Sequence, residues 1–121
     1  MYSIVLVTAK DKRQARTIAK ALLTKKLAAC INIIPAIESI YTWQGKIEQG
    51  KEVLMLIKIR KTSFKHVAST VKSLHSYTTP EIIALPIVLG EKNYLNWIKA
   101  STKGLNDSHR IEVFRLRRAK G

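Results

Sequence analysis

An α+β fold, with its helices on one face of an antiparallel sheet, is what this sequence predicts, and three observations carry that expectation. Short β-branched apolar runs alternate with segments whose apolar residues recur at helical spacing. They come in the order strand, helix, strand, strand, helix, strand, a βαβ unit used twice, and right-handed crossovers place both helices on the same side of four strands. The two middle strands meet at a tight turn, Gln44 and Gly45, which leaves no room for a crossover. The expected architecture is ferredoxin-like, βαββαβ, with an elongated central hairpin and an additional C-terminal helix.

The first strand is "YSIVLVT", Tyr2 to Thr8, apolar at both parities and so expected to be covered on both sides. From Asp11 the spacing turns helical. Ala15, Ile18, Ala19, Leu22 and Leu23 share a stripe opposite Lys and Arg, Asp11 with Gln14 forms a capping box, and the helix should run to about Lys25. "LAACINIIPAIESIYTW", Leu27 to Trp43, reads as a long strand, with Pro35 marking a bend or bulge because it cannot donate to a ladder. "KIEQGKEVLMLIKIR" returns as a second long strand; Gly45 supplies the positive φ of the turn, and Gly50 suggests another bulge.

Thr62 or Ser63 can cap a second helix whose stripe is Phe64, Val67, Ala68, Val71 and Leu74 and which ends near His75. "PEIIALPIVLG" is a further strand, and "EKNYLNWIKAS" a short third helix with Tyr94, Trp97 and Ile98 facing inward as core or interface packing. "RIEVFRLRR", Arg110 to Arg118, alternates with period two and fits either an edge strand or a loose basic tail.

The middle hairpin is too long for its domain. Strands of roughly 15 residues reach on the order of 45 Å, beyond a compact core built from 121 residues. The overhang carries Ile33, Ile34, Ile37, Ile40, Tyr41 and Trp43, and left bare it would be an aggregating edge. Another subunit is expected to cover it, which makes the chain an obligate oligomer.

Composition narrows the function. At 46% hydrophobic residues the chain can bury enough surface to fold. No apolar run approaches the roughly 18 residues of a membrane span, and the N-terminus lacks a basic segment ahead of its apolar one, so a soluble, untargeted protein is expected. The single Cys30 excludes an internal disulfide and suits the cytoplasm. The net charge is +14, from 22 basic and 8 acidic residues, which attracts nucleic acid, acidic membranes or anionic ligands alike. No aromatic residues interleave with the basic ones to stack bases, so a solvated face is the preferred reading and nucleic acid a disfavoured partner. There is no Gly-rich phosphate loop, no Cys-x-x-Cys, no His-x-x-x-His and no Gly-x-Ser-x-Gly elbow. Eight carboxylates leave little material for a paired acid and base, and a non-enzymatic protein is expected.

"KLAACINIIPAIESIYTWQGKIEQGKEVLMLIK", followed by "LHSYTTPEIIALPI" and "YLNWI", resembles the CutA divalent-cation tolerance proteins in order and spacing over roughly residues 3 to 101. The resemblance divides the chain into a domain over 1–101 and a basic extension over 102–121. It implies a homotrimer whose long hairpins pair between subunits, a cytoplasmic location in bacteria, and a role in tolerance of copper or another divalent cation. The architecture is also similar to the PII-type signalling trimers, but those carry a long loop where this hairpin turns within two residues. A binding module using the basic surface and tail to hold RNA or another anion is the alternative.

His75 is the candidate metal ligand, since an imidazole at a helix end is accessible and suits copper or zinc. Its other reading is a helix terminus whose histidine bonds the last carbonyls. The resemblance implies a fuller set, a cysteine near the end of the first strand and two adjacent histidines, but those positions here hold Val7 and Leu74 beside His75. It further implies a subunit-interface pocket drawn from Tyr41, Trp43, Lys58, Tyr77 and Glu81, with Cys30 either a small buried hydrophobe or a thiol at the same interface. Lys58 and Glu81 are the pair to follow there, because charges among apolar strands are costly unless paired.

Overall fold

A computed structural model describes residues 1–103, and "RIEVFRLRR" lies outside the described residues. The elements are β1 (Tyr2–Ala9), α1 (Lys12–Thr24), β2 (Cys30–Trp43), β3 (Lys46–Arg60), α2 (Phe64–Leu74), β4 (Ile82–Pro86) and α3 (Lys92–Ser101). A single 3₁₀ turn, Lys61–Ser63, leads into α2. The sheet order is β2-β3-β1-β4, with β1 antiparallel to both β3 and β4, so the ferredoxin-like expectation holds.

One side of the sheet carries the core. Val5, Val7, Met55, Ile57 and Ile59 point towards α1 and α2 and are fully buried against Ile18, Leu22, Val67 and Val71. The alternate residues of the same strands point the other way. Ile4 and Leu6 are only half-buried, and their cross-strand partners Leu85 and Ile83 are each 50% exposed. The expectation that β1 is covered on both sides is thus corrected: the chain's two crossover helices lie on one side, and its own residues leave much of the other apolar and open.

Local chemistry explains most boundaries. Asp11 starts α1, its carboxylate accepting from the Gln14 N–H at 2.8 Å, while the Gln14 side chain turns back to accept from Lys10 N–H. Lys26 ends it at φ 60°, with Lys26 N–H donating to Leu23 O and Leu27 N–H to Leu22 O, the paired bonds of a Schellman end. That left-handed step delays β2 to Cys30, three residues past the expected start. At the far end Gln44 (φ 50°) and Gly45 (φ 77°) are both left-handed, the turn that matches the twist of a hairpin.

The bulge falls where Pro35 placed it. Ile34 pairs with Leu54 and Ile37 with Glu52, so β2 spends one residue more than β3 between them, with Ala36 at φ 62°. Gly50, by contrast, pairs in register with Ser39 and makes no bulge; nothing approaches within 4 Å of where its Cβ would be. Ser63 does not cap α2 through its hydroxyl, because it sits in αR geometry inside the 3₁₀ turn; its Oγ is buried and unpaired. In α3 only Ile98 of the expected inward set is buried. Tyr94 and Trp97 are 43% and 44% exposed and lean on each other at 5.5 Å.

Candidate functional site

The richest polar cluster gathers where the segment after α2 crosses the end of β1. His75 follows the last residue of α2 in extended geometry, φ −87° and ψ 143°, which swings its ring back over the sheet. One ring nitrogen, Nε2, lies 2.7 Å from Thr8 O and the other, Nδ1, accepts from Tyr77 N–H at 3.1 Å. A carbonyl can only accept, so Nε2 bears the proton and the ring is the neutral tautomer with both nitrogens engaged. The Tyr77 ring tilts against it at 4.6 Å and sends its hydroxyl on to Glu52 Oε2 at 2.7 Å. Tyr77 holds its proton well above the usual phenol range, first through burial and then through the hydrogen bond to Glu52 and that carboxylate's charge.

Register brings part of the proposed pocket to this cluster. Beyond the bulge the odd residues of β2 lie opposite the even residues of β3, so Tyr41 faces Glu48 on the side of the sheet that also carries Glu52, and its proximity adds to the rise at Tyr77. Trp43, opposite Lys46 at the hairpin tip, is 45% exposed and stands apart from it. Cys30 and Lys58 form a second group as a cross-strand pair on the open face, where the edge strand β2 begins. Lys58 Nζ donates to Asn32 Oδ1, one pair further along β2, and so does not turn to Glu81, which is exposed on the approach to β4. Tyr94 of α3 reaches this group: its phenol is raised mainly by burial and secondarily by Cys30. Within one chain the named residues therefore fall into a Tyr41–Glu52–His75–Tyr77 cluster, a Cys30–Asn32–Lys58 cluster, and two outliers, Trp43 and Glu81.

Among the described residues no three His, Cys, Asp or Glu side chains come together, around His75 or elsewhere, in a way that could hold an ion. Val7, fully buried, and Leu74, 39% exposed, have hydrocarbon side chains and so offer no donor beside His75.

The CutA1 divalent ion tolerance protein family model matches residues 3–101. The chain belongs to the CutA1 family. It is 47% identical over 102 residues to the divalent-cation tolerance protein CutA of Thermus thermophilus, covering 84% of this chain and 99% of that one. It is 49% identical to that of Archaeoglobus fulgidus over 98 residues, 81% of this chain and 95% of the other. Human protein CutA is 43% identical over 88% of this chain, which spans 59% of the human protein. Among solved structures, the Thermus thermophilus protein superposes with a TM-score of 0.83 over 85% of this chain and all of its own. That from Oryza sativa gives 0.82 at 42% identity over 84% of this chain and 94% of its own.

Two members of the site escaped the sequence reading of this CutA1 chain. Glu52 is the acceptor that orders Tyr77, and Asn32 the acceptor that occupies Lys58. Both carried a signal, a polar residue inside an otherwise apolar strand, but each is significant only once the register names its partner.

Proposed function

We propose that this chain is a homotrimeric, non-enzymatic divalent-cation tolerance protein of the cytoplasm that takes copper or a related divalent ion weakly through His75. The observation that carries the reading is the family match, which spans every element from β1 to α3. Trimer formation is supported by the apolar sheet face, with Ile34, Ile83 and Leu85 at 40%, 50% and 50% exposed, and by the projecting hairpin. Weak binding follows from the geometry of His75, because an ion must displace either the Thr8 or the Tyr77 bond and gains a single imidazole in return. The Cys30–Lys58 and Tyr77–Glu52 clusters lie on the face that subunits would bury, so an interface pocket is supported by their placement.

Calorimetric titration of the full chain with copper and with zinc tests the binding step. Heat that disappears in His75→Ala is expected; no heat from the folded protein would remove direct binding while leaving the family assignment untouched. Light scattering should give three times the chain mass, and a monomer would sink the trimer. Relatives are named for more than one compartment, including a chloroplastic CutA of Arabidopsis thaliana and a structure described as periplasmic from Archaeoglobus fulgidus. Cell fractionation decides whether this one is cytoplasmic.

A further inference from the structure

Cations are spread over the whole folded domain, but on the outer face of α1 and α2 they stand almost without carboxylates. The outward faces of α1 and α2 carry Lys12, Arg13, Arg16 and Lys20 on one helix and Lys65 and Lys72 on the other, all exposed. The two helices pack side by side, and Lys25 Nζ of the α1 end reaches Thr70 Oγ1 of α2 at 3.5 Å. Among the described residues the carboxylates lie elsewhere: Glu38, Glu48 and Glu52 on the hairpin, Glu81 and Glu91 flanking β4. The exception is Asp11, whose side chain is taken by the Gln14 N–H.

A face that only kept the protein in solution would not need this pattern. Lys12, Arg16 and Lys20 recur every fourth residue and Arg13 sits three before Arg16, so like charges stack along α1 with no acidic side chain between them, an arrangement that destabilises a helix. Lys12 and Arg13 also occupy the first turn, where the helix dipole disfavours cations and where the only carboxylate is that of the capping Asp11. These costs are relieved when an anion is supplied from outside. The two helices carry one exposed ring among their described residues, His66 of α2, with no second beside it on which successive unpaired bases could stack. Their exposed large apolar residues are Leu23 and Leu74, at the helix ends, which gives no wedge for a lipid surface.

We propose that the outer face of α1 and α2 docks a nucleic-acid duplex through its phosphate backbone, without reading its bases. A duplex presents a charge about every 1.7 Å along its axis, and α1 runs about 20 Å, so the α1 cations can meet successive phosphates. The sequence alone favoured a solvated face because it showed no stacking residues; a backbone-only contact requires none. This inference does not depend on metal binding.

Fluorescence anisotropy with the full chain and a short labelled duplex, in DNA and in RNA form, tests it. With about four phosphates neutralised, affinity should fall roughly 100-fold between ~50 and ~200 mM salt. Combined Arg13→Glu, Arg16→Glu and Lys20→Glu should weaken binding of at least one duplex by tenfold or more. Combined Lys51→Glu, Lys92→Glu and Lys99→Glu, the same change in net charge placed on β3 and α3, should weaken it less than about threefold. Arg16→Glu alone turns its like-charge pairs with Lys12 and Lys20 into opposite-charge pairs, so it should lose affinity while its melting temperature holds or rises, which separates the surface effect from misfolding. Equal loss in the two triple variants, no loss in the α1 variant, or equally tight binding to phosphatidylserine vesicles would each overturn the proposal.

Discussion

Tyr77 shows what one side chain contributes here. Its hydroxyl bond to a carboxylate and its contact with His75 tie the segment before β4 to β3, and Tyr77→Phe removes only the bond. Being partly exposed, that bond should be worth about 1 kcal/mol, measured as a lower denaturation midpoint at fixed protein concentration. Its raised phenol has a defined sign: the folded chain keeps a proton that the unfolded chain releases near pH ~10, so stability should fall as pH rises past that value. Absorbance titration of the tyrosines should show a late-ionising component that is missing from Tyr77→Phe. The individual residue types were readable in the sequence, but this partnership was not, because Glu52 and Tyr77 meet across 25 positions through a register that only the folded sheet sets.

Elements were more legible than contacts, since their signals are local. The α1 cap, the bulge at Pro35 and the Gln44–Gly45 turn each follow from the conformational limits of a few neighbouring residues. Gly50 and Ser63 misled for the same reason: a glycine permits a bulge and a serine permits a cap without requiring either. Lys26 holds the left-handed position that usually goes to glycine, so Lys26→Gly should stabilise the end of α1 by up to about 1 kcal/mol, read from denaturant unfolding. In α3, Glu91 accepts from both Asn93 N–H and Tyr94 N–H, and these bonds hold its carboxyl below the usual range. A lowered folded-state value means the cap is intact above the ordinary carboxylate pKa and lost as pH falls through the lowered one. Protection of the Asn93 and Tyr94 amides should therefore drop on acidification, so that their exchange slows less than base catalysis alone dictates, and Glu91→Gln should abolish that extra pH dependence.

At the scale of the molecule, the fold is a single apolar layer between helices and sheet, with a second apolar surface on the other side of the same strands. Periodicity in the sequence reported both as hydrophobic and did not tell which the chain covers itself. That is why β1 read as buried on both sides and why Tyr94 and Trp97 read as inward. If subunits bury the second surface, Ile83→Lys on its β4 edge should shift the mass in light scattering from trimer towards monomer while the helical circular dichroism remains; an unchanged trimer would place the interface elsewhere.

The extra residue in β2 has a consequence for change over evolutionary time. Inside the bulge, Cys30, Asn32 and Ile34 share a side with Lys58, Leu56 and Leu54, whereas outside it Ile37, Tyr41 and Trp43 take that side. The bulge shifts the parity of the sequence and not of the surface: deletion of one codon, Ala36, would put Ile34 and Ile37 two residues apart, the spacing of an unbroken ladder, and leave Tyr41 and Trp43 on the side they now hold. The outer hairpin would keep its recognition surface and lose only the local bend and added twist that a bulge supplies. Such a variant should keep its α1 and α2 signals and still co-assemble with the parent chain when the two are mixed and refolded; failure to do so would mean that the bend itself is needed for assembly.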